Sequence, residues 1–176
     1  MENDKLKMIT FMLFIFLHYQ FSIINFDTFL CNIKLYDIML SMKTQYAFKA
    51  LMYLAQKDND GPVLIAEIAE KKGIPLKFLE NILLELKKAG ILDSKKGKGG
   101  GYFFNQRPND VRLAKVMRLI EGPIALLPCI SLNFYQKCKN CDERHCGLNV
   151  VMKEVRDATL NILESKTVDD IAKLSL

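Results

Sequence analysis

From Met42 onward the apolar residues fall into regular periods. KTQYAFKALMYLAQ places Tyr46, Ala47, Ala50, Leu51 and Leu54 on one side of a helical repeat, and Asp58-Asn59-Asp60-Gly61-Pro62 stops it. In the next stretch, VLIAEIAEKKGIPLKFLENILLELKKAG, Ile65, Ile68 and Ala69 line one short helix. Leu79, Ile82, Leu83 and Leu86 line a second, running from Pro75 to Ala89. Gly73 supplies the turn between the two and Gly90 ends the second, which makes a helix-turn-helix pattern. The period then shortens. ILDSKKGKGGGYFF reads as strand, loop and strand, a β-hairpin standing directly after the helix-turn-helix as a wing would. Val111 to Glu121 reads as a helix ended by Gly122-Pro123, and Asn149 to Ser165 as a long one. The long helix carries Val151, Val155, Ala158 and Ile162 on one stripe, with Met152, Thr159 and Leu163 beside it. Thr167-Val168-Asp169-Asp170 has the form of a capping box opening a short final helix.

The predicted fold is therefore mainly α with a small β-hairpin wing. Residues 42–122 form a winged helix-turn-helix domain, 123–148 a cysteine-rich loop, and 149–176 a long helix followed by a short one. The apolar stripe of the long helix lies outside the winged-helix core and needs a cover. A second copy of the same helix supplies one, and a two-fold dimer would present two recognition helices to DNA.

Residues 1–41 differ in kind. MITFMLFIFLHYQFSIINF, after Lys5 and Lys7, has the outline of a signal peptide or membrane span. However, His18, Gln20, Ser22 and Asn25 interrupt it, and no small-residue cleavage site follows. The first 41 residues contain no Ala, Gly, Pro, Arg or Val, the composition that AT-rich untranslated DNA gives when read as protein. The segment is read as a misassigned start, with Met39 or Met42 as initiator. The alternative is a membrane anchor; otherwise no membrane is involved and the setting is cytoplasmic. Cys31 goes with this segment.

Charge sharpens the reading of the remainder. Of the formal +5, residues 1–41 contribute three Lys against four acids, leaving 22 basic and 16 acidic residues for the rest. Between Lys71 and Arg107 nine basic residues face three acidic ones, a balance suited to a polyanion or simply to a solvated lysine face. Lys95, Lys96 and Lys98 put cations at the hairpin tip, and Gly97, Gly99, Gly100 and Gly101 allow backbone to approach another molecule closely. A phosphate-cradling P-loop would end in Gly-Lys-Ser/Thr and open a helix, whereas this loop runs into Tyr102, Phe103 and Phe104. With the second helix in a major groove, Lys77, Phe78, Glu80 and Asn81 are the residues to meet base edges. Glu80 can accept a hydrogen bond from a cytosine amino group, or pair with Lys77 on the helix surface. Lys71, Lys72, Lys87 and Lys88 would serve the phosphate backbone.

The remaining chemistry is sulfur. PCISLNFYQKCKNCDERHCGL holds Cys129, Cys138, Cys141 and Cys146. Disulfides are disfavoured where the cytosol keeps thiols reduced, and the polar flanks, Lys137, Lys139, Asp142, Glu143 and Arg144, do not belong to a core. Gaps of eight, two and four residues suit tetrahedral zinc and iron–sulfur clusters about equally. His145 is a bystander or a fourth ligand. Cys138-Lys139-Asn140-Cys141 lacks the βαβ surroundings of a thiol oxidoreductase, and no nucleophile–histidine arrangement is visible, so an enzyme is not expected.

KTQYAFKALMYLA, the run IAEIAEKKGIPLKFLENILLELKKAGILDSKKGKGGGY, LAKVMRLIEGP and the cysteine block together resemble the winged-helix repressors of the Rrf-two family. The resemblance implies a DNA-binding, homodimeric transcriptional regulator that recognises a double-stranded operator. It implies that Glu80 reads bases, that the Lys96 to Tyr102 wing enters the minor groove, and that the long helix forms the dimer interface. It also tips the cofactor toward a 2Fe-2S or 4Fe-4S cluster rather than zinc, on Cys129, Cys138 and Cys146, or with Cys141 replacing Cys138. The chain departs from the family pattern in its longer, less even gaps and its fourth thiol.

Overall fold

A computed structural model describes residues 40–57, 61–139, 141–143 and 145–174. The expectations for residues 1–39 lie outside the described residues. Helix α1, Met42–Gln56, is opened by Ser41, whose hydroxyl accepts the Thr44 N–H at 3.2 Å. The Ser41 N–H donates to the Glu121 carboxylate at 2.6 Å, so Ser41 already belongs to the folded body. Thr44, Ala47, Ala50, Leu51 and Leu54 form the buried face of α1.

Helices α2, Ile65–Lys72, and α3, Leu76–Lys88, follow. Gly73 closes the turn between them at φ 62°, and Ile74 N–H bonds back to Ala69 O at 2.9 Å. The apolar positions of α3 work as their spacing predicts: Leu79, Ile82, Leu83 and Leu86 are wholly buried against α1 and α2 in one core.

Strands β1, Leu92–Lys95, and β2, Gly101–Phe104, pair antiparallel from Leu92 opposite Phe104 to Lys95 opposite Gly101. Val63, just before α2, adds a third position to this ribbon, because Val63 N–H donates to Tyr102 O at 2.9 Å and Tyr102 N–H to Val63 O at 2.8 Å. That approach explains the glycine at 101. Its φ is 153°, and a Cβ there would collide with the Val63 carbonyl. Gly100 is excluded from carrying a side chain in the same way, by the Lys95 carbonyl.

Helix α4, Leu113–Ile120, begins later than the pattern suggested. Val111 stays extended because its carbonyl accepts the Val168 N–H at 2.9 Å, while Leu113 N–H donates to Lys166 O at 3.0 Å. This short ladder ties the entrance of α4 to the link between α5, Gly147–Ser165, and α6, Val168–Leu174. The capping box forms: Thr167 N–H and hydroxyl both donate to Asp170 Oδ2 at 2.8 Å, and Asp170 N–H donates to Thr167 Oγ1 at 3.2 Å. Helix α5 itself is scarcely covered. Val151, Val155, Ala158 and Ile162 are exposed, Ile162 at 62%, whereas Leu163 packs against the core. Among the described residues no helix is long and apolar enough to cross a membrane.

Candidate nucleic-acid interface and thiol site

The core-facing side of α3 fixes what its other side can present. With Leu79, Ile82, Leu83 and Leu86 inward, Lys77, Phe78, Glu80 and Asn81 stand exposed near the helix start. Three of them already have neighbours. Lys77 Nζ lies 3.4 Å from Glu80 Oε2, and the Phe78 ring packs edge-on against Tyr46 of α1 with centroids 5.8 Å apart. The Lys77 side chain is 91% exposed, so its ion pair is loosely held and is readily exchanged for another partner.

The hairpin leaves the end of α3 through a fixed joint. Lys87 Nζ donates to Ser94 Oγ at 2.7 Å and lies 2.9 Å from Asp93 Oδ1. Its hydrogen bond, followed by that from the Ser94 N–H, lowers the Asp93 pKa below the usual carboxylate value. Lys87 thus sets the hairpin against the helix, a role that its sequence position alone did not suggest. Lys72 likewise sits over the Tyr53 ring, 5.1 Å from its centroid. At the hairpin tip Lys95, Lys96, Lys98 and Gly99 are exposed, Gly100 is buried and Tyr102 half-buried beside Val63. The arrangement is a basic, glycine-shaped finger on a rigid base.

Across the molecule's second region, Cys129, Cys138, Cys141 and Cys146 are thiols rather than disulfides. Cys129 sits in the short 3-10 turn Pro128–Ile130, and Cys146 is the residue from which α5 starts. Cys138, Cys141 and Cys146 come together. The Cys141 thiol is pushed up to about 12, first by its hydrogen bond with Cys138, then by burial and by charge on Cys138 and Cys146. A thiolate at Cys141 faces two further sulfurs, a donor set whose mutual repulsion a soft cation relieves. Among the described residues, no three His, Cys, Asp or Glu side chains are set as a ready-made metal site. Glu143 clasps the loop: its carboxylate accepts from the Tyr135 hydroxyl at 3.0 Å and from Cys138 N–H at 3.0 Å. The Glu143 bond raises the Tyr135 pKa. His145 Nδ1 pairs with Asp142 Oδ2 at 2.8 Å and points to a carboxylate rather than to sulfur. Cys129 is approached from α5, where Asn149 Nδ2 lies 3.5 Å from its Sγ.

Sequence reasoning passed over Ser41 and Val63, gave Lys87 to the phosphate backbone, and used Asn149 only as a helix boundary. Ser41 alone carried a usable signal, a serine directly before an amphipathic run. The other three act through tertiary contacts that no local pattern announces.

The family model for Rrf2, described as "Iron-dependent Transcriptional regulator", matches residues 40–174. A Rhodobacter capsulatus protein named as an rrf2-like HTH-type transcriptional regulator is 42% identical over 137 residues, spanning 76% of this chain and 91% of its own. Among solved structures, CymR, the global cysteine regulator of Bacillus subtilis, superposes with a TM-score of 0.65 at 26% identity over 77% of this chain and 97% of its own. IscR of T. potens superposes with a TM-score of 0.63 at 26% identity over 78% and 88%.

Proposed function

Because the chain belongs to the Rrf2 family of transcriptional regulators and is not an enzyme, we propose that it represses transcription as a homodimer whose operator affinity is set by a thiol-held cofactor. The observation that carries the DNA reading is the basic hairpin, whose exposed Lys95, Lys96 and Lys98 project from a base locked to α3 through Lys87. In this reading α3 enters the major groove. Lys77, Phe78, Glu80 and Asn81 face base edges, and Glu80 accepts from a cytosine amino group once Lys77 turns to a phosphate. The finger of Lys95, Lys96, Lys98, Gly99 and Gly100, with Tyr102 at its base, lies along the minor groove and its phosphates.

The exposed Val151, Val155 and Ile162 support dimerisation, since pairing two copies of α5 removes that apolar surface from water. A two-fold pair would place the recognition helices on half-sites about 34–36 Å apart.

Cys138, Cys141 and Cys146, with Cys129, would hold an iron–sulfur cluster of the 2Fe-2S or 4Fe-4S type; zinc is the other ion such thiolates accept. A cluster supplies a one-electron couple and sensitivity to oxidants. The chain's own contribution is to connect that centre to the DNA-binding body. Glu143 holds the loop, the Pro128–Ile130 turn carries Cys129, and Cys146 stands directly before the first turn of α5. The reading places the protein in the cytoplasm.

The test is operator selection with the full chain, followed by affinity measurement on the selected duplex. A pseudo-palindrome bound by two chains with steep salt dependence supports the reading. Binding indifferent to Lys96→Ala and Glu80→Ala together contradicts it.

A further inference from the structure

Helix α5 runs for 19 residues, and its one buried residue is a polar one, Asn149, 1% exposed. A carboxamide withdrawn from water is costly unless its donors are used. Asn149 spends its Nδ2 on the Cys129 sulfur, at 3.5 Å. Two helical turns further on, Arg156, its side chain 11% exposed, donates through Nη1 to the Ile130 carbonyl, the residue after Cys129. One face of α5 therefore grips the Pro128–Ile130 turn at two points, one of them a sulfur. The far end of the same helix is fastened to the winged-helix body. Arg118 Nη1 reaches Glu164 Oε1 at 2.6 Å, Arg112 Nη1 donates to Ser165 O at 3.2 Å, and Leu113 N–H donates to Lys166 O.

We propose that Asn149 is a positioning residue of the thiol site: its side-chain amide holds the Cys129 sulfur and transmits the state of that sulfur to α5. The inference rests on the functional reading above, in which Cys129 is a ligand. A leucine, which shares the branched heavy-atom skeleton of asparagine, would fill this position without the cost of burying a carboxamide. What the carboxamide adds is an N–H aimed at sulfur, which strengthens when the sulfur carries negative charge and weakens when it does not. Donors to ligand sulfurs also raise the reduction potential of a metal–thiolate centre, because they favour the more negative, reduced state. Asn149 thereby joins the charge on the sulfur to the seating of the first turn of α5.

Five forms of the full chain test this: native, Asn149→Leu, Asn149→Gln, which keeps an amide, Cys129→Ala, and Asn149→Leu combined with Cys129→Ala. In metal-free protein, amide exchange over Val150 to Lys153 should quicken roughly threefold to tenfold in Asn149→Leu, the loss of one hydrogen bond. Cys129→Ala should quicken the same amides, and combining the two should add little. Asn149→Gln should restore part of the protection. In anaerobically reconstituted protein, the midpoint potential of the iron centre should fall in Asn149→Leu and recover in Asn149→Gln, a readout that a purely structural residue would not move. Equal exchange in native and Cys129→Ala proteins, or an unchanged potential in Asn149→Leu, overturns the assignment. Should the chain take up no iron, the cofactor reading fails, and the exchange comparison alone still decides whether Asn149 and Cys129 act as a pair. If Asn149→Leu does not fold, Cys129→Ala carries that comparison.

Discussion

Arg118 of α4 and Glu164 of α5 meet at 2.6 Å, joining the winged-helix body to the end of the long helix. The pair is more than a third exposed on the Glu164 side, so its contribution to stability is small. A double-mutant cycle on Arg118→Ala and Glu164→Ala should give a coupling of less than about 1 kcal/mol in thermal unfolding. A coupling several times larger would mean that this joint is a main strut of the fold rather than a guide for α5.

Gly101 stands where the wing meets Val63. Gly101→Ala must bring a Cβ against the Val63 carbonyl at a φ of 153° that L residues rarely adopt. The expected cost is about 1–3 kcal/mol, read in denaturant unfolding, together with weaker DNA binding from a displaced hairpin. Native stability in that variant would show that the Val63–Tyr102 bridge is dispensable.

The final helix gives a pH prediction. The Thr167 N–H and hydroxyl hold Asp170 ionised, with its pKa lowered below the ordinary carboxylate value. A carboxylate depressed in the folded state stabilises above its unfolded pKa, near 3.9, and that contribution disappears as pH falls through the lower folded value. Asp170→Asn should therefore flatten the acid limb of the stability curve, while Thr167→Ala should cost about 1 kcal/mol at neutral pH through loss of the cap. An acid limb unaltered by either change would exclude this box from the acid response.

Much of this architecture could be read from the chain. The helix-turn-helix was legible because Leu79, Ile82, Leu83 and Leu86 keep a strict helical period, and all four are buried. The capping box was legible because its four residues are adjacent. What escaped was tertiary. Val63 joins the hairpin by a single bridge beside Pro62, too short for any alternating pattern. Lys87 looked like one lysine in a basic run until Asp93 and Ser94 were seen to hold it. The start of α4 moved from Val111 to Leu113 because Val111 is kept extended by Val168, more than fifty residues away. The thiols showed their number and spacing, but not that Cys138, Cys141 and Cys146 share contacts while Cys129 faces Asn149.

Within the proposed DNA surface the roles separate. Lys96→Ala and Lys98→Ala should weaken binding to every duplex and each lower the salt slope by about one counterion. Glu80→Ala should leave general affinity in place and relax preference at one base pair of each half-site, worth about 1–3 kcal/mol of discrimination. Competition binding against a panel of single-base variants checks both. A uniform loss from Glu80→Ala would place this carboxylate outside the base-reading surface.

The most direct test of the central claim is the operator affinity of one preparation measured twice at fixed salt, first with its thiol-bound cofactor in place and then after anaerobic removal of the metal. The account predicts a change of roughly 5- to 150-fold between the two forms, the usual range of coupling between sites. Equal affinities would contradict it, leaving Cys129, Cys138, Cys141 and Cys146 as a structural feature of a regulator that senses something else.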